Sequence, residues 1–169
     1  MEIEEIARYK LSFDANRFTV RCPGGTDRFS GLAASNLPKI YIVSVGGEPI
    51  YVGKATIPIR DRLRQGWRAT GKNGYYGYAW RHAFSEAHLD IWCHRDPTEQ
   101  RGCLDIETIE AEVVYLIRQA GQWPRYQTEI HFHESNDEHR RWASLIAAKY
   151  DLEAREAIQP VADLSMEGR

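Results

Sequence analysis

The chain has 169 residues, of which 43% are hydrophobic and 27% charged. These are ordinary values for one globular domain with a self-sufficient core, and they exclude wholesale disorder. No apolar run approaches the roughly 20 residues that cross a bilayer, and the formal net charge of −2 hides a steep internal split.

Residues 1–37 read as an N-terminal extension, an adapter to the rest of the chain. The opening MEIEEIARYK is acidic where a secretory signal would be basic and then apolar. Arg17–Val20 suits a short strand, Cys22-Pro-Gly-Gly a turn, and Leu32–Leu37 a small apolar patch ending at Pro38. Ile40–Val45 is a strong β run, Gly46-Gly-Glu-Pro49 has turn chemistry, and Ile50-Tyr-Val52 is a second β run, so the pair predicts a hairpin. Pro58 suits a first helical turn, and Ile59, Leu63 and Trp67 come after it at helical spacing. Gly71-Lys-Asn-Gly74 ends that helix. Tyr75–Ala87 is aromatic-rich and reads as helical towards its end, and Leu89–Cys93 reads as a third strand.

Asp96–Cys103 reads as a polar loop, with Asp105 as the cap of a helix running from Ile106 to about Ala120, where Gly121 stops it. Gln127–His133 alternates and predicts another strand. Ser135-Asn-Asp-Glu138 has the capping-box pattern and opens a helix over 136–158, with a frayed tail after Pro160. The expected fold is α/β in the α+β sense: a small antiparallel sheet of at least three strands flanked by helices. Cys22, Cys93 and Cys103 cannot all pair and none lies in a CxxC, which points to a reduced, cytoplasmic setting without membrane association.

The charge split is positional. Residues 39–82 carry eight basic and two acidic side chains, whereas residues 83–169 carry nine basic and seventeen acidic. A compact basic block suits a phosphate backbone, and equally describes a solvated face. Arg60, Arg64 and Arg68 recur four apart and share one helix face. Lys72, Arg81 and His82 extend the block. Trp67, Tyr75, Tyr76, Tyr78 and Trp80 lie within it, either to stack on bases or to build a second small core. Tyr78 and His82, four apart, are candidates to flank a phosphate. His131 and His133 share one face of the predicted strand, as zinc ligands or as edge-strand polar residues.

Lys39-Ile-Tyr41 and, ten residues after Tyr41, Tyr51-Val-Gly53 resemble the paired tripeptides of the GIY-YIG nuclease superfamily. The resemblance continues through Lys54, Arg62 and Ile109-Glu-Ala-Glu-Val-Val114, and covers residues 38–127 as a catalytic domain. Residues 128–169 form a C-terminal strand and helix packed on it. The resemblance implies Tyr41, Tyr51, Lys54, Arg62 and Glu110 as the catalytic set, and Glu110 as the ligand of Mg²⁺ or Mn²⁺. The chain departs from the family in three ways: Lys39 stands where the family has Gly, Gln127 comes after Pro124-Arg-Tyr126 where the family often has Asn, and 71–87 is longer than in the minimal domain.

The residue chemistry agrees. Phosphodiester hydrolysis needs an activated water, neutralised phosphate charge and help for the leaving oxygen. A carboxylate holds a hard cation, an arginine fork clamps phosphate, and a tyrosine beside positive charge from Lys54 or Arg62 positions or deprotonates water. On the predicted helix, at about 100° per residue from Ile109, Glu110 falls near 100° within the apolar stripe, Glu112 near 300° and Glu107 near 160°, on or towards the wet side. The expected function is metal-dependent endonuclease cleavage of DNA, with RNA left open and a homodimer implied if both strands are cut. Two alternatives stand beside it: a non-catalytic nucleic-acid binder on the same fold, and a protein-interaction module using the acidic C-terminal half.

Overall fold

The computed structural model describes residues 1–95 and 99–152. The strands are β1 (Ile3–Phe13), β2 (Phe18–Arg21), β3 (Lys39–Val45), β4 (Glu48–Ala55) and β5 (Glu86–His94). They form one five-stranded sheet in the order β2-β1-β5-β3-β4, with every pairing antiparallel. Among the described residues three helices flank it: α1 (Ile59–Arg68), α2 (Glu99–Gln119) and α3 (Asp137–Ala147).

β3 lies between β5 and β4 and is covered on both faces, which is why its sequence is an almost unbroken β-branched and aromatic run. Gly46 and Gly47 both hold positive φ, 60° and 86°, as a two-residue hairpin turn requires. A bulge between Val43 and Ser44 lets Pro49 sit in β4, which is an edge strand and needs no N–H there.

Strand alternation divides the core in two. Tyr41, Val43, Leu89 and Ile91 face α1 and the residues after it, among Trp67, Tyr78 and Trp80. Ile40, Ile42, Val52 and Trp92 face the opposite side, against Ile109, Val113 and Ile117 of α2 and Ile146 of α3. Trp67, Tyr78 and Trp80 pack mutually at ring separations of 5.1–5.7 Å, so these three are a core, whereas Tyr75 and Tyr76 are exposed.

Several elements differ from expectation. β1 is a full strand, and its alternating Tyr9, Leu11 and Phe13 enter the core while Arg8 and Lys10, on the opposite face, pair with the buried Asp90 and the exposed Glu86. α2 begins at Glu99, so Glu99–Cys103 is helix rather than loop and Asp105 is an interior residue rather than a cap. Residues 127–133 form no strand, because Gln127 spends its side chain on β4 and the segment runs past the sheet edge. Between residues 75 and 87 the helical content is one short 3₁₀ turn, Ala79–His82, before β5 begins. α3 is capped by Asn136 with His139 as the reciprocal partner, not by Ser135 and Glu138. It ends at Ala147. Residues 153–158 of the expected helix, the tail after Pro160 and residues 96–98 of the expected loop lie outside the described residues.

Candidate active site at the open edge of the sheet

β4 is an outer strand, with α1 reaching it from one face and α2 from the other. Side chains from both layers therefore meet around its edge. The Tyr41 and Tyr51 rings lie 6.0 Å apart, because Tyr51 pairs with Val43 and Tyr41 with Gly53. Gly53 is where the two rings come closest to backbone. A Cβ there would stand 2.6 Å from Tyr41 Cζ and 2.7 Å from Tyr51 Cε1, closer than real Cβ atoms come.

The two tyrosines are not equivalent. Tyr41 is wholly buried and its hydroxyl lies 2.9 Å from that of Tyr78. Burial holds the Tyr41 hydroxyl well above the usual phenol range. Tyr51 is half-buried. Burial pushes its hydroxyl up, the Arg62 guanidinium and the neighbouring Tyr41 hydroxyl pull it down, and Glu110 pushes it up again, with a net upward result. Tyr78 reaches Tyr41 only because Gly66 of α1 lets its ring lie against the helix, where a Cβ would meet Tyr78 Cε2 at 2.0 Å.

Arg62 Nη1 donates to the Tyr75 hydroxyl at 3.0 Å and Nε to the Lys54 carbonyl at 3.4 Å. Its guanidinium lies 5.7 and 5.8 Å from the centroids of the Tyr75 and Tyr78 rings. These contacts aim the guanidinium along the sheet edge. Lys54 is ion-paired with Glu107, which also meets His133 at 2.6 Å. A cavity of about 490 Å³ opens beside these groups, with Lys54, Arg62, Gln65 and Glu107 in its wall.

Glu110 is 7% exposed. Burial pushes its carboxyl up to about 7, against the opposing pull of Lys54, Arg62 and the Gln127 amide. Gln127 also accepts from Val52 N at 3.0 Å, next to the bond from Tyr126 N to the Ile50 carbonyl at 3.1 Å. Gln127 Nε2 donates to the Glu129 carbonyl at 2.9 Å, so the segment after Pro124 covers the free edge of β4 and sets this amide near Glu110.

The structure brings together Tyr41, Tyr51, Lys54, Arg62, Glu110 and Gln127. It sets others apart. Lys39 is buried and donates to the Ser35 and Leu37 carbonyls, away from this edge. Arg81 donates to the Gly66 carbonyl and to His82 Nε2, which fixes it to α1. His82 lines a separate surface depression with Val45 and Glu86, so it does not flank the tyrosines as Tyr78 does. Lys72 is exposed on the turn after α1. Arg60, Arg64 and Arg68 line a different cavity, together with β2. His131 pairs with Glu129 at 3.0 Å. Among the described residues no group of three or more His, Cys, Asp and Glu side chains is arranged to hold a metal ion by itself.

Sequence reasoning missed Tyr75 as the partner of Arg62, and put Glu107 towards solvent although it is an ion-pair partner at the site. The available signal was its position one turn before Glu110, since residues three apart share a helix face. A scan of protein-family models, a search of curated proteins and a search of solved structures each return no match to this chain.

Proposed function

We propose that the protein is a divalent-metal-dependent endonuclease of the GIY-YIG kind that hydrolyses phosphodiester bonds in DNA. The observation that carries this reading is a buried carboxyl, Glu110, within electrostatic reach of the Arg62 guanidinium and the Tyr51 hydroxyl at one strand edge. A hard cation fits this donor set: burial without a matching cation leaves Glu110 with an affinity for protons near neutral pH, and a carboxylate with phosphate oxygens is hard-oxygen coordination. Bound there as Mg²⁺ or Mn²⁺, the ion supplies Lewis acidity towards the phosphate and charge stabilisation of the leaving oxygen.

The remaining chemistry belongs to the chain. Arg62, held by Tyr75 and the Lys54 carbonyl, clamps the non-bridging oxygens as charge develops on them. Tyr51, the partly open phenol beside Arg62, orients the attacking water by hydrogen bonding. Tyr41 is a positioning residue: it is sealed from solvent, its ring packs 6.0 Å from that of Tyr51, and its hydroxyl is held by Tyr78 at 2.9 Å. Lys54 is engaged by Glu107, so the positive charge that lowers the Tyr51 hydroxyl comes from Arg62.

The test is incubation with supercoiled plasmid and Mg²⁺ or Mn²⁺, with and without EDTA, with a structured RNA in parallel. Metal-dependent cutting of DNA is expected. Tyr51→Phe is expected to lose about 10²-fold or more in turnover, and Glu110→Gln all cleavage. Full activity in Glu110→Gln overturns the reading, and cutting of the RNA alone moves the substrate to RNA.

A further inference from the structure

α1 has two charged flanks, and only one faces the Tyr51–Arg62–Glu110 cluster. At about 100° per residue, Arg60 and Arg64 lie on the side of the buried Ile59-Leu63-Trp67 stripe opposite Arg62, about 160° from it. There they enter a cavity of about 400 Å³, together with Arg68. The other wall comes from the N-terminal extension and brings Arg17 and Arg28. Five arginines from three segments thus line one concavity, with Asp27 as its acidic member.

Arg17 is paired with Asp14 at 3.3 Å and Arg64 with Asp61 at 3.7 Å. Arg28, Arg60 and Arg68 have no carboxylate within ion-pair distance among the described residues. Like charges gathered without counter-ions repel one another, so a fold that collects them leaves a field which an anion relieves. The walls are tied together by hydrogen bonds. Trp67 Nε1 donates to the Asp14 carbonyl at 3.0 Å, which ties the β1–β2 turn to α1. Asp14 Oδ1 in turn accepts from the backbone of Asn16 and Arg17 at 2.8 and 3.0 Å. The Phe18 ring lies 4.8 Å from Trp67 and floors the cavity with apolar surface.

We propose that this cavity is a second binding site, for the phosphate groups of a nucleotide, with Arg28, Arg60 and Arg68 as the primary contacts. Guanidinium forks match phosphate oxygens in pairs, and an anion is the one ligand charge the site favours. The ligand comes either from a polynucleotide backbone or as a free nucleotide. The choice of phosphate chemistry rests on the nucleic-acid part of the proposed function; it does not rest on cleavage.

The test uses the full chain in EDTA. Binding of a 20-base-pair duplex and of adenosine triphosphate is measured by titration across a salt series, for the wild type and for Arg28→Ala, Arg60→Ala and Arg68→Ala. All three side chains are exposed, so the folded state is expected to survive, as a melting curve checks. Each substitution should weaken the ligand by about tenfold, and for the duplex lower the salt slope by about one. Asp27→Asn should tighten it. A response confined to the duplex names the backbone as the source, and one confined to the triphosphate names the free nucleotide. Affinities for both probes that ignore all three substitutions overturn the proposal. Glu110→Gln separates the two readings: it should lose cleavage and keep this binding.

Discussion

Glu110 concentrates the energetic tension of the molecule at one atom group. Its carboxyl is raised from 4.5 to about 7 by burial, which outweighs the attraction of Lys54 and Arg62. Between those two values the unfolded chain has released the proton while the folded chain still holds it. Metal-free stability therefore falls as pH rises through that window, by on the order of 3 kcal/mol in all. Glu110→Gln removes the titration. In urea unfolding without metal, its stability relative to the wild type is expected to rise from pH 4.5 to pH 7.5, and added Mg²⁺ should narrow the gap by stabilising the wild type alone. Parallel curves at every pH would contradict the burial-raised carboxyl of this residue. Much of this was legible in the sequence, because Glu110 sits inside an apolar stripe whose period is set by helix geometry. Tyr75 and Glu107 were not, because their importance lies in partners on other elements: Tyr75 meets Arg62 and Glu107 meets Lys54.

At the scale of elements, Asp105 links three of them. From the interior of α2 it meets His94 of β5 at 3.1 Å and His139 of α3 at 2.9 Å. Burial raises its carboxyl, but the bonds to His139 and His94 outweigh that and leave it below its usual value. An acid held low in the folded state stabilises at pH values above its unfolded value, and the contribution disappears as pH falls through the folded one. Asp105→Asn is expected to cost about 1–3 kcal/mol at neutral pH. The cost should shrink on acidification below about pH 4, where the unfolded chain takes up the proton first and the folded chain follows at its lower value. Urea midpoints at pH 7 and pH 3 for both proteins check this, and a cost unchanged at pH 3 would mean that shape alone matters there. Local spacing made Asp105 look like a helix cap. Its true partners are 11 and 34 residues away, beyond the reach of any periodicity. The β3–β4 hairpin was legible for the opposite reason: both strands, the turn and its glycines are contiguous.

For the molecule as a whole, the decisive element is β1. The sequence resemblance begins at residue 38, which makes the first 37 residues look like an attachment, yet they supply the strand that lies directly against β5. That pairing runs from Ile3↔His94 to Ser12↔Glu86 with one bulge. Its alternation was weakly legible because Glu4, Glu5, Arg8 and Lys10 interrupt the apolar signal. The first three of these pair with Arg95, Lys149 and Asp90, all far along the chain. Tyr9, Leu11, Phe13, Val20 and Phe29 from this segment are all buried in the core beneath α1. At about 2 kcal/mol per buried side chain, five such residues contribute about 10 kcal/mol, as much as the whole net stability of a typical domain. Removing residues 1–37 would also leave the β5 edge unpaired and the apolar surface behind it open to water. A chain beginning at residue 38 is therefore expected not to fold, although it keeps every residue of the Tyr51–Arg62–Glu110 cluster. Amide dispersion in its NMR spectrum, or a cooperative urea transition, is the measurement. A cooperative transition in that shorter chain would show that residues 38–152 hold together without the extension, and would make β1 and β2 an addition to a self-sufficient core.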